Sequence, residues 1–387
     1  MARCSHLHPI NPQAVTFESE GCRHLVSQHV DDHADDFFIM KSAKRLKDFS
    51  RTHMVGVVGA GLAYLQMVRD GYVWCDHFEN QHLAGSAPTQ KSPDFVFSRP
   101  GESDVALTES KATHGASRKS FQGRVTRGYR DQVSPYLGMK VGGSVVTHGF
   151  SIGSWMTSPT RAELIVDHTA VTTTPSPPRD LGSPIAIRRG NYLTALSLMF
   201  GPSIASSARA GTWPSSDSRL LTATWLGRQW LLGFAPDYLG SRFWTEEYRE
   251  MGQYINWVYW PLMYEFALEM RVAEAVFKSL YNTESVYDSL SEIDVMSEDL
   301  MARARAAGGA VFPDGLAVLG KEENIESVKV SYWDPQTGGI KELAHAALQE
   351  RVGEPVLSVR ESGWNWFIRE KIEDSDVKQA VLLLTSK

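Results

Sequence analysis

Pro175, Pro177 and Pro178 fall within four residues of the stretch Thr172-Thr-Thr-Pro-Ser-Pro-Pro178. Each removes a backbone donor and fixes φ, so the stretch excludes both a helix interior and a central strand. Broken there, a chain of 387 residues is expected to fold as two bodies. The boundaries read as an N-terminal arm over 1–40, a first domain over 41–172, a linker over 173–184 and a second domain over 185–387. With 42% hydrophobic and 22% charged residues both bodies can bury a core, which excludes a disordered, collagenous or coiled-coil chain. Cys4, Cys22 and Cys75 form no CxxC pair and no charged-then-apolar leader opens the chain, which points to a reducing cytoplasm. The apolar stretches are too short and too Gly-rich to cross a bilayer, so no membrane partner is expected.

The first domain reads as α/β. Met54, Val57, Val58, Leu62, Leu65 and Val68 recur at three- and four-residue steps, which predicts a helix within 41–70 stopped by Gly71. A short strand follows at Tyr72–Cys75. The runs Asp94–Phe97 and Val105–Lys111 flank a Pro100-Gly101 turn and predict a hairpin. Residues 118–137 read as a helix and 144–152 as a further strand. Beyond the linker the pattern is largely helical, over Tyr192–Met199, over Thr245–Tyr281 with a break at Pro261, and over Thr283–Ala307. Strand-like runs appear at Val328–Tyr332, Pro355–Val359 and Ala380–Leu384.

The hairpin carries the chemistry. Pro93-Asp94 is followed fifteen positions after the Asp by Glu109-Ser110-Lys111. Strand alternation puts Glu109 and Lys111 on one face and Ser110 on the other, while the hairpin folds Asp94 back toward them. Two converging carboxylates make a hard oxygen site suited to Mg²⁺, and a lysine beside it can orient a water and stabilise charge on phosphorus. The bland alternative is a solvated Glu109/Lys111 pair on a surface hairpin.

These residues resemble the PD-(D/E)xK nuclease superfamily, over roughly residues 41–155. The resemblance implies a restriction-endonuclease-like core, a central mixed sheet flanked by helices, joined to a mixed, largely helical C-terminal domain. It further implies a Mg²⁺- or Mn²⁺-dependent endonuclease acting on DNA, with Asp94 and Glu109 as metal ligands and Ser110 lending its main-chain carbonyl. Lys111 would serve the attacking water. A bacterial anti-phage or restriction role, with a regulatory protein partner or a homo-oligomer, is also implied. One departure from the family is that Val55–Arg69 holds no acid, the nearest being Asp70 and Glu79. A catalytically inactive nucleic-acid-binding or scaffold subunit is therefore the second reading.

Charge supports a phosphate partner locally. The net charge is −6, yet residues 111–161 hold eight basic side chains against Asp131 alone. Arg118, Lys119, Arg124, Arg127 and Arg130 on the predicted helix make a nucleic-acid face through counterion release. Gln132 on the same helix is a possible accessory group for the site.

Four other patterns carry alternative chemistry. Val57–Ala63 has two of the glycines of a dinucleotide loop but Tyr64 where the third belongs, and close helix packing explains them. Gly149-Phe-Ser-Ile-Gly153 fits the serine-hydrolase elbow, with Ser151 as nucleophile and His168 or His345 as base. Cys4, His6, His8, Cys22, His24, His29 and His33 are Zn²⁺ donor types without a finger spacing, and read as a solvated arm. Trp244, Tyr248, Tyr254, Trp257, Trp260 and Tyr264 could stack bases but read as core of the second domain.

Overall fold

Helix, strand, hairpin, helix and strand follow one another in the first half of the chain, as the sequence pattern anticipates. The structure is a computed structural model that describes residues 28–31, 38–39, 41–83, 85–86, 91–158, 161–170, 182–214, 218–233, 266–281, 286–319 and 325–342. Two units divide the chain, 1–194 and 195–387, the boundary falling within a helix at Ile185–Phe200.

In the first unit, β1 (Val30–Asp31) and β2 (Phe38–Ile39) form a small antiparallel pair. A 3-10 turn at Lys41–Arg45 precedes α1 (Asp48–Arg69), and Gly71 stops it at φ 88°, where any residue with a Cβ is strained. The strands are β3 (Trp74–His77), β4 (Phe95–Ser98), β5 (Val105–Thr113), β6 (Lys140–Val141), β7 (Ser144–Ser158) and β8 (Arg161–Ala170). They make a mixed sheet in the order β3-β4-β5-β7-β6, with β8 paired to β7. β3, β4 and β5 run antiparallel, and β5 is parallel to β7. A parallel neighbour needs a crossover, which α2 (Arg118–Gly128) and the turns after it supply.

Parity assigns the two faces of this sheet. Gly59 of α1 lies over Ala112, where a Cβ would come within 2.5 Å of the alanine Cβ, so the glycine permits a close helix–strand contact. The other face carries Val96, Val105 and Leu107, packed with Val133, Tyr136, Val141 and Val146, all 1% exposed or less. Burying each such aliphatic side chain is worth about 1.5–3 kcal/mol, so this cluster anchors the crossover segment to the sheet.

The crossover is not one helix. α2 ends at Gly128, a π-helical turn spans Tyr129–Val133, and a 3-10 turn over Ser134–Tyr136 follows. Pro135, lacking a donor, cannot continue an α-helix there. β8 was not anticipated. Its alternation includes the exposed Leu164 and Val166, so it lacks the polar outward face of an ordinary edge strand.

The second unit contains α3 (Ile185–Phe200) in part, α4 (Pro202–Arg209), β9 (Arg219–Trp225), β10 (Arg228–Leu232), β11 (Phe266–Glu269), α5 (Met270–Tyr281), α6 (Val286–Ser291), α7 (Glu298–Ala306), β12 (Ala310–Val311), β13 (Leu316–Val318), β14 (Ile325–Asp334) and β15 (Gly339–Glu342). Among the described residues the expectation of a largely helical domain is corrected: a seven-stranded antiparallel sheet, β12-β13-β11-β10-β9-β14-β15, organises them. Phe266–Glu269, read as helix, is a strand bonded on both sides by β10 and β13, and burial of Ala267 and Leu268 at 0% exposure overrides local helical preference. The helix expected over Thr283–Ala307 is two, separated at 292–297. The segment 234–265, with its aromatics and Pro261, lies outside the described residues, as do the runs at 355–359 and 380–384 and the Pro-rich stretch 171–181.

Candidate functional site at the hairpin

Phe95 pairs with Thr108, so Asp94 and Glu109 are the next opposed positions and share a face with Val96 and Leu107. Asp94 is held by the strand it faces: the Ser110 N–H donates to its Oδ2 at 2.8 Å. Glu109 is only 1% exposed. Its Oε1 accepts from Lys111 Nζ, and its Oε2 is buried with no hydrogen-bond partner. Lys111 Nζ also donates to Gln132 Oε1 at 3.2 Å, and Gln132 Nε2 donates to the Ser92 carbonyl at 2.8 Å. The structure thus brings together Asp94, Glu109, Ser110, Lys111 and Gln132.

Burial pushes the Asp94 carboxyl above its usual range, against the pull of the Ser110 N–H and the Lys111 charge. Glu109 is pushed up to about 8, first by burial and then by the negative charge of Asp94, with Lys111 and Gln132 opposing. Two acids that resist ionising together are a strained arrangement, and a cation between them relieves it. Among the described residues no cluster of three or more His, Cys, Asp or Glu side chains could hold a metal ion. The donor set is therefore two carboxylates and backbone oxygen. That set suits Mg²⁺ or Mn²⁺, which keep several waters, and the unpartnered Oε2 of Glu109 is a free hard donor inside it. The residues present fit such an ion.

The π turn shapes this site. An extra residue in a turn re-aims the side chains after it, and such turns occur often at functional sites. Here it presents Gln132 to Lys111 and Tyr136 to the loop ahead of Asp94, where the Tyr136 hydroxyl donates to the Lys91 carbonyl at 3.0 Å. Gln132 and Tyr136 thus bind adjacent carbonyls of the segment that delivers Asp94. Gly128 lies directly over the site, where a Cβ would stand 3.1 Å from Lys111 Cε and 3.3 Å from Glu109 Cγ. Sequence reading singled out neither Tyr136 nor Gly128. Pro135, which ends the helix, is the one signal that could have pointed to the irregular turn.

The basic helix is partly neutralised. Arg118 pairs with Glu163 at 2.6 Å, and Arg130 with Asp131 at 2.8 Å. Arg124 donates to Thr113 Oγ1 at 2.9 Å and lies over the Phe121 ring. Lys119 and Arg127 are exposed on α2 and make no ion pair among the described residues.

The Gly149–Gly153 pattern has a packing explanation. A Cβ at Gly149 would meet Val133 at 2.6 Å, and one at Gly153 would meet Val125 at 2.3 Å, so the glycines form the groove that receives the crossover. Ser151 between them is 0% exposed and donates to the Val125 carbonyl at 2.9 Å. Parity puts His168, opposite Phe150, on the other face of the sheet. The exposed nucleophile and adjacent base of a hydrolase elbow are not formed, and His345 lies outside the described residues. Of the N-terminal Cys and His set only His29 is described, and its Nδ1 is hydrogen-bonded with Ser42 Oγ at 2.9 Å. No known family matches the chain, and no curated protein or solved structure does.

Proposed function

We propose that the first unit is a metal-dependent nuclease of the PD-(D/E)xK type that hydrolyses phosphodiester bonds of DNA. One observation carries this reading: the mutually opposed carboxylates of half-buried Asp94 and buried Glu109, with Lys111 fixed beside them by Gln132. Asp94, Glu109 and the Ser110 main-chain carbonyl would hold Mg²⁺ or Mn²⁺. Such an ion, when bound, polarises a phosphate oxygen and lowers the pKa of a water. Lys111 would donate to the attacking water or to a phosphoryl oxygen that gains charge, and its two tethers hold Nζ in place so that no reorganisation is needed during reaction. Gln132 is a positioning residue for Lys111. Lys119 and Arg127 track the backbone of the nucleic acid, while Arg118 and Arg130 spend their charge within the protein.

The absence of an acid along Val55–Arg69 keeps the inactive scaffold as the competing reading. Lys111→Ala and Glu109→Ala are expected to abolish Mg²⁺-dependent cleavage of a labelled DNA while the circular dichroism spectrum stays unchanged. Equal cleavage by both variants and the parent overturns the assignment. A parent that binds DNA in Mg²⁺ without cutting it favours the scaffold.

A further inference from the structure

Glu109 and Lys111 sit on one face of β5, and parity puts Thr113 on the same face two residues further on. β4 does not follow the strand that far. Its ladder with β5 ends where Phe95 pairs with Thr108, and Asp94 reaches only to the Ser110 N–H. Among the described residues Lys111–Thr113 therefore have no strand beside them on the β4 side, while β7 continues on the other, with Thr113 opposite Trp155. The strand leads out of the site with one flank open.

α2 keeps pace with it. Gly128 lies over Lys111 and Glu109, and Arg124, one helical turn earlier, donates from Nη2 to Thr113 Oγ1 at 2.9 Å. Four helical residues rise about 6 Å and two strand residues about 6.6 Å, so helix and strand carry Arg124 and Thr113 the same distance from Lys111. That distance matches the step from one backbone phosphate to the next on a strand drawn over the site.

Arg124 is held in place but not neutralised. Its guanidinium lies 5.2 Å from the centroid of the Phe121 ring, and Phe121 is fixed by packing with Val125 and Ile165. The Thr113 hydroxyl that it touches also accepts from the Gly115 and Ala116 N–H groups at 3.4 Å, which anchors it at the strand end. Both partners are uncharged. Arg124 makes no ion pair among the described residues, whereas Arg118 and Arg130 each meet an acid. The side chain is exposed, and a guanidinium has more N–H donors than the one spent on Thr113. The rest of its planar fork can take a phosphate through two donors at once.

We propose that Arg124 binds the backbone phosphate next to the one that reacts, so that the site takes a polynucleotide strand and is positioned on it by two consecutive phosphates. This rests on the nuclease reading of the preceding subsection. The test uses the full chain and a labelled duplex DNA, with the parent, Arg124→Ala, Arg124→Lys and Lys119→Ala. Binding is read by fluorescence anisotropy across a salt series in chelator, and cleavage as the rate at saturating protein in Mg²⁺. Arg124→Ala is expected to make the plot of log K against log salt shallower by about 0.9, as one lost phosphate contact would. Its saturated rate should fall about tenfold, further than that of Lys119→Ala, because the reacting phosphate is no longer located by its neighbour. The melting temperature should not change. Arg124→Lys keeps the charge without the fork, so it should keep the salt dependence and recover part of the rate. An unchanged salt dependence in Arg124→Ala overturns the proposal. A saturated rate that falls no further than in Lys119→Ala also overturns it, because Arg124 then meets the backbone away from the reacting bond. A parent that does not cut DNA removes the nuclease reading itself.

Discussion

Replacing Glu109 by Gln is expected to stabilise the metal-free protein, and increasingly so as the pH rises. Glu109 is 1% exposed and its carboxyl is raised from 4.5 to about 8 in the fold. A carboxyl that holds its proton more tightly when folded favours folding fully below about pH 4.5. That contribution is lost as the pH climbs and is gone above about pH 8. At about 1.36 kcal/mol per unit the whole gap is an upper bound of about 5 kcal/mol. Local relaxation and water entry soften such penalties, so about half of it is expected. Gln is neutral throughout, keeps an oxygen for Lys111, and can turn its amide toward Asp94. Lys111 is 32% exposed and is not stranded by losing a charged partner. Thermal melts in chelator at pH 5.5 and pH 8.5 read the effect. At roughly 2–4 °C per kcal/mol for a domain of this size, Glu109→Gln should melt about 5 °C or more above the parent at pH 8.5, with the gap shrinking toward pH 5.5. A variant that melts below the parent at pH 8.5 would refute the reasoning, since Glu109 would then be a net stabilising salt-bridge partner.

Gly128→Ala should separate fold from chemistry. Its backbone is α-helical, so Ala is tolerated locally, but the new Cβ presses on Lys111 and Glu109. Because a 1 Å misplacement can cost about 100-fold in rate, Mg²⁺-dependent cleavage should fall at least tenfold while the melting temperature moves by only a few degrees. Lys119→Ala combined with Arg127→Ala should weaken duplex DNA binding and make the plot of log K against log salt shallower by about 1.8, as two lost phosphate contacts would. Arg118→Ala, whose charge is already met by Glu163, should leave that slope nearly unchanged in the same fluorescence-anisotropy titration.

The hairpin and its acids were legible because strand alternation and a Pro-Gly turn are local signals. Asp94, Glu109 and Lys111 share a face in the structure for the reason that parity gives. The stop of α1 at Gly71 and the packing role of Gly59 were legible for the same kind of reason. What stayed hidden depends on distant parts of the chain. Val133, which ends the π turn that aims Gln132, and Tyr136 after it pack into the cluster with Val96 and Leu107, residues far from them in the sequence. The charge count over 111–161 was correct as arithmetic but stopped two residues short of Glu163, and strand pairing brings that acid to Arg118. Phe266–Glu269 misled because helical preference was read where burial between two strands decides.

The most direct measurement is an anomalous difference map from crystals of the protein soaked in Mn²⁺ at millimolar concentration. One peak is expected between the carboxylates of Asp94 and Glu109, with the free Oε2 of Glu109 among its ligands. A map with no peak there, and with Glu109 bound to Lys111 as in the structure described above, would contradict the claim that these two acids are a cation site.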